Sequence, residues 1–245
     1  LFSNQNHKKL NNLTDNNIKT VCEFDKGSSL NLKSNKKISA IYIIWHHKSV
    51  FWSLNLPEKP TTTSASTTST STNSSDNLKN NAKKGLNNKT TKSINSGSTI
   101  LKGGTNGFLH EFVNIPTPEH SFTISFDYCK GAVADIYAFE SGIIPKWVQC
   151  WEPMLKKADL LLYSTHADDE HLWFGGTLPV YAGEYRKKVQ VAYLIRHGAL
   201  LKEYERNHEL LDGLWKVGVR NYPMVSNFED YYAKTLEEAL KIYNE

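Results

Sequence analysis

One imidazole and two adjacent carboxylates, His166, Asp168 and Asp169, stand close together in the sequence. Histidine and aspartate suit a borderline divalent metal such as zinc. A free carboxylate beside a metal-bound water can act as its general base. The three residues follow an apolar run, Leu160 to Tyr163, and precede an amphipathic stretch that contains Gly175 and Gly176. That order predicts strand, tight turn, helix, with the polar residues at the carboxyl end of the strand, where open α/β sheets bind ligands. Singly, each residue has a plainer role. Asp168 or Asp169 would cap the helix, and His166 would be a satisfied polar side chain. Together, at the mouth of a buried strand, they read as half of a metal-hydrolase site.

The stretch is similar to the signature of the LmbE/PIG-L family of metal-dependent N-deacetylases, His-Pro-Asp-Asp-Glu followed by Gly-Gly. Ala167 replaces the usual proline, which changes turn stiffness but no ligand. Downstream, Val189 to Ile195 reads as a second parallel strand. Arg206 and Glu209, followed by Gly218 and Val219, resemble the family's Arg-x-x-Glu helix and its Gly-Val turn. The likeness covers residues 155–245. It implies that His166 and Asp169 bind the metal, zinc being the favoured ion, that Asp168 is the general base, and that Arg206 stands at the substrate end of the pocket. Glu170 is expected to serve the helix N-terminus or a supporting hydrogen bond.

A catalytic zinc takes three protein ligands. The family's third is a distant downstream histidine, and no matching segment occurs before Glu245. Among the local histidines, His171 and His208 are expected to be surface or packing residues. His197 follows the second strand and is a candidate to line the pocket beside substrate. The chain begins at Leu1 and ends inside a helical pattern, Ala233 to Tyr243, after two strands of what should be a larger sheet. It is therefore expected to be a piece of a longer protein, inactive by itself.

The N-terminal part has a different texture. Residues 60–98 run from Ser/Thr-rich to Asn/Lys-rich with no aromatic residue. Such a tract buries too little apolar area to offset its ordering entropy and is expected to be a disordered insertion. Around it lie runs rich in β-branched and aromatic residues: Lys37–Trp45, Phe51–Leu56, Phe108–Ile115, Ser121–Phe126 and Val133–Phe139. They predict short strands of an antiparallel sandwich. Leu13 to Thr20 and Ala134 to Gly142 resemble the opening and closing segments of the galactose-binding-like, discoidin (factor 5/8 type C) sandwich, over residues 8–142. Asp15 and Asn16 suit a calcium ion, with turn formation the favoured role. Exposed aromatics such as Trp45 or Trp52 would suit stacking on a sugar ring, with core packing the favoured role for most. Residues 143–154, with Trp147 and Trp151 between two prolines, predict a packed junction.

The expected architecture is thus an antiparallel β-sandwich joined to a truncated, Rossmann-like α/β domain. The function it implies is removal of an N-acetyl group from an amino sugar within a glycan, at an extracellular location or cell surface. The alternative is a non-enzymatic carbohydrate-binding protein with an incomplete site, and a weaker third is a deacylase on a small thiol-linked or antibiotic sugar. The net charge of +4 is modest and arginine is scarce, so nucleic-acid binding has little support. No apolar run reaches the ~18 residues of a membrane span. Cys22, Cys129 and Cys150 lack metal-cluster spacing and leave one disulfide open.

Overall fold

The computed structural model describes residues 2–3, 9–56, 99–196, 203–229 and 233–244. The insertion at 60–98 and His197 lie outside the described residues.

The N-terminal part is one continuous antiparallel sheet folded on itself. Its strands are β1 (Phe2–Ser3), β2 (Cys22–Phe24), β3 (Ser28–Trp45), β4 (Trp52–Asn55), β5 (Thr99–Gly103), β6 (His110–Phe126) and β7 (Gly131–Phe139). The order is β2-β7-β3-β6-β4-β5, with β1 on β3. Strands β3 and β6 pair along almost their whole length, so two of the strands are long where short ones were expected. The register breaks in the middle. Lys33 faces Ser121, Ile38 faces Glu119, and Ala40 faces Asn114. The interruption coincides with the polar residues 34–37 and with Pro116 and Pro118, which cannot donate ladder bonds. At this bend the sheet turns over. Phe24 on β2 then stacks at 4.5 Å on Phe126 of β6, which Trp45 meets edge-on at 6.3 Å.

Alternation decides which side chains fill the space between the layers. Leu30 and Leu32, Ile41 and Ile43, and Phe122, Ile124 and Phe126 are buried at period two. Each such side chain stabilises by roughly 1.5–3 kcal/mol on burial. Strands β4 and β5 pair directly although 43 residues, 56–98, separate them in sequence. The insertion therefore leaves and re-enters one domain.

The C-terminal part carries a three-stranded parallel sheet, β8 (Leu160–Ser164), β9 (Val189–Ile195) and β10 (Met224–Phe228), in the order β10-β9-β8. The first two match the expected strands. The third was not expected. Helix α1 (Asp169–Leu172) is one turn long, shorter than the predicted helix. Gly175, Gly176 and Pro179 break its continuation, and a π-helical turn, Pro179–Glu184, follows. Helix α2 (Glu203–Lys216) ends in a turn at Gly218, and α3 (Leu236–Asn244) comes last.

Trp151 meets Trp215 of α2 and Tyr222 edge-on at 5.3 and 5.6 Å, and Trp147 packs against Tyr137 at 4.9 Å. No disulfide joins Cys22, Cys129 and Cys150, and burial pushes the Cys22 thiol up to about 11.

Candidate functional site

The turn after β8 is built by its own side chains. Asp169 turns its Oδ2 back to accept the backbone N–H groups of Thr165 (3.2 Å) and His166 (2.9 Å). Glu170, buried, accepts the N–H of Asp168 at 2.9 Å, the supporting bond expected of it. Asp168 occupies the N-cap position but makes no capping hydrogen bond with its side chain, so capping does not explain it. Its backbone sits at φ 138°, ψ −26°, a conformation that costs an L-residue about 1–3 kcal/mol. Such strain persists only where the surroundings enforce it.

Three of the predicted residues meet here, and Arg206 joins them from α2. His166 Nδ1 and Asp169 Oδ2 are 3.9 Å apart, each partly exposed. Two metal–ligand bonds of about 2.0–2.2 Å can bridge that separation. These residues therefore fit two positions of a divalent-metal site, although no cluster of three donors exists among the described residues. Arg206 donates from Nη2 to the carbonyl of Ala167 (2.8 Å) and to Asp168 Oδ2 (3.2 Å), and from Nη1 to Glu209 (2.9 Å). The Glu209 and Asp168 carboxylates raise its pKa further. Arg206 thus grips the turn itself, a role that the sequence pattern alone does not reveal.

Beneath the turn, Ser164 Oγ is buried without a hydrogen-bond partner among the described residues, and the buried Glu170 Oε1 lies 3.5 Å from His171 Nε2. Burial, with the nearby Glu170 charge adding to it, drives the Tyr193 phenol strongly upward, so it stays protonated. His171 lies against Gly213 of α2, where a Cβ would come within 2.4 Å of its Nε2. Trp173, directly after α1, is 76% exposed.

Helix α2 also faces the sandwich. Tyr42 Oη and His110 Nδ1 are 2.6 Å apart, His110 Nε2 and His208 Nδ1 2.8 Å, and His208 Nε2 and the His46 carbonyl 3.1 Å. His208 is a packing residue, as expected, but fully buried and hydrogen-bonded at both nitrogens. Gln149 donates to Asp212 at 2.5 Å, and Tyr222 Oη accepts the Leu109 N–H at 3.2 Å.

In the sandwich, Trp45 and Trp52 belong to the core, 0% and 1% exposed. Both donate their indole N–H to Glu111 Oε2, at 3.2 and 2.9 Å. The aromatics open to solvent are Phe51 and Tyr128, set edge-to-face at 6.3 Å. They line a cleft of about 450 Å³ together with Lys102, Asp127 and Ser53. Asp15 and Asn16 form a turn. Asp15 accepts the Asn17 N–H and the Thr20 hydroxyl, while Asn16 bonds to Asp135 and Tyr137.

No protein-family model matches the chain, and no curated protein matches it. Solved structures that align with it include CpGH89CBM32-6 produced by Clostridium perfringens, with a TM-score of 0.37 at 12% identity, over 58% of this chain and 93% of that one. A pectin binding carbohydrate binding module aligns with a TM-score of 0.32 at 14% identity, over 59% and 93%. Likeness this distant fixes no function.

Proposed function

We propose that the chain belongs to a metal-dependent hydrolase that removes the acetyl group from an N-acetylated amino sugar in a glycan, with the sandwich as its carbohydrate-holding part. One observation carries this reading. His166 and Asp169 stand side by side as a donor pair, while the adjacent Asp168 is forced by a strained backbone to face Arg206 instead. Two neighbouring carboxylates are thereby given different jobs.

His166 and Asp169, with a third donor, would hold a divalent ion such as zinc, which would supply Lewis acidity for amide hydrolysis. Asp168 takes the proton from the attacking water and returns it to the leaving amine. Arg206 orients that carboxylate from 3.2 Å, and lies where it can meet substrate oxygens. Glu170 fixes the backbone of Asp168. His197, just past β9, is assigned to the same substrate end. The reading places the protein outside the cell or at its surface, where glycans are.

Acetate release from N-acetylglucosamine oligomers tests it, with and without chelator and in Asp168→Asn. Loss of rate by about 10²–10⁴ in that variant is the expected result. Undiminished release in Asp168→Asn, or release indifferent to chelator, would overturn the assignment.

A second reading, carbohydrate binding without chemistry, is favoured by the Phe51–Tyr128 cleft, where two exposed rings adjoin a carboxylate and an ammonium. Flat apolar faces with a few polar groups suit a sugar ring. Retention on a glycan matrix that weakens in Phe51→Ala and Tyr128→Ala, with no acetate release by the full-length protein, would select this reading.

A further inference from the structure

At the opposite end of the parallel strands, a cleft of about 690 Å³ opens between the π-helical turn, the start of β9 and the loop after α2. Strand β9 has seven residues, and at about 3.3 Å each this places the cleft roughly 20 Å from the carboxyl end that carries the metal donors. Five cationic side chains line it: Arg186, Lys187, Lys188, Lys216 and Arg220. The one acidic residue in its lining is Glu152, so the cleft carries a formal excess of +4 (five less one), equal to that of the whole chain. None of the five makes an ion pair with a described residue.

The cleft is also shaped in advance. Gly218, at φ +98°, lies so close to Gly183 that a Cβ there would approach its Cα to 2.5 Å. The two walls are thereby locked together. Arg220 lies 3.8 Å above the Trp215 ring and donates to the carbonyls of Trp215 and Val219. Its guanidinium is thus held in place, and the indole face is covered. Single-stranded nucleic acids need free aromatic faces for their bases, and a lipid surface needs a flat or convex basic patch. A concave, preformed basic cleft of this volume matches a few units of a carboxylate-bearing sugar chain.

We infer that this cleft binds an acidic polysaccharide, anchoring the chain at a point remote from the candidate metal site. The inference rests on the glycan reading of the protein but not on catalysis. Its test is binding of the full chain to hyaluronan, which alternates carboxylate sugars with N-acetylglucosamine, beside neutral N-acetylglucosamine oligomers and a DNA fragment. Hyaluronan should bind in low salt, release as salt approaches ~0.5 M, and bind about tenfold more weakly to the Lys187→Glu/Lys188→Glu variant. The neutral oligomers should show no such dependence. All of these side chains are exposed, so the circular dichroism of the variant should match the parent. Equal affinity of parent and variant, no hyaluronan binding, or tighter binding of DNA would overturn the proposal. Acetate release is not read, so failure here leaves the hydrolase reading standing, and the converse.

Discussion

His110 Nε2 meets His208 Nδ1 at 2.8 Å, joining β6 of the sandwich to α2 of the α/β part through two buried imidazoles. The surrounding bonds fix which atoms carry protons. The Gln149 N–H points at Tyr42 Oη at 3.4 Å, so the phenol donates to His110 Nδ1. His110 then donates from Nε2, and His208 donates from its own Nε2 to the His46 carbonyl. Every link has one donor and one acceptor only when both rings are neutral.

Acid should therefore weaken the fold. Burial holds the pKa of His110 well below the ordinary 6.5, and burial lowers His208 as well. Above 6.5 the rings are neutral in folded and unfolded chains alike and contribute no pH dependence. As pH falls below 6.5 the unfolded chain takes up protons that the folded chain refuses, and stability drops by up to about 1.4 kcal/mol per pH unit per ring. Urea midpoints at pH 7.5 and 5.5 measure the slope. The double variant His110→Gln/His208→Gln should flatten it, and an unchanged slope would rule these residues out as its source.

Asp168 should be worth more to function than to stability. Glycine adopts positive φ readily, so Asp168→Gly should raise the unfolding free energy by about 1–2 kcal/mol. The lost ion pair with Arg206 is partly exposed and offsets this by less than about 1 kcal/mol. Asp168→Asn keeps the strain and should leave stability nearly unchanged. Denaturant titration of the two variants separates these outcomes, and a destabilised Asp168→Gly would show that the backbone is not strained.

Much of this was legible in the sequence, and the exceptions have physical causes. The turn from His166 to Glu170 and the strands β8 and β9 follow from apolar runs ending in polar residues. Strand β10 was hidden because Pro223, Ser226 and Asn227 interrupt its apolar residues. The length of β3 and β6 was hidden because the bend places polar residues and prolines in mid-strand. The grip of Arg206 on the turn, and the meeting of His110 with His208, depend on how two distant segments pack. No local pattern records that. Trp45 and Trp52 show the same limit: an aromatic in a strand reads alike whether it faces solvent or a partner such as Glu111.

Glu111 itself should tolerate no amide. Its carboxylate accepts two indole N–H groups on one oxygen and the Gly104 N–H, at 2.6 Å, on the other. Glu111→Gln turns one acceptor into a donor and leaves at least one buried group unpaired, costing about 1–3 kcal/mol. Tryptophan fluorescence during urea unfolding reports both the loss and the changed surroundings of the indoles. A midpoint equal to the parent's would refute the shared-acceptor account.

Gly104→Ala should be more damaging still. The residue sits at φ +78°, and an added Cβ would fall 2.0 Å from the backbone oxygen of Val50. Relief requires moving a backbone segment, so a loss of about 3 kcal/mol or more is expected. Thermal unfolding measures it, and a shift of less than a degree or two would show that the loop is free to adjust.

Helix α2 makes the two halves of this protein hard to trade. One face carries Arg206 to the turn after β8, while His208 reaches back to the sandwich and Asp212 to Gln149 of the junction. A sandwich borrowed from another protein would have to present an imidazole and a backbone carbonyl in the same places, or the helix would settle at a new angle and carry Arg206 with it. Recombination between relatives at residues 143–154 should thus yield soluble chimaeras far less often than the presence of a junction there would suggest.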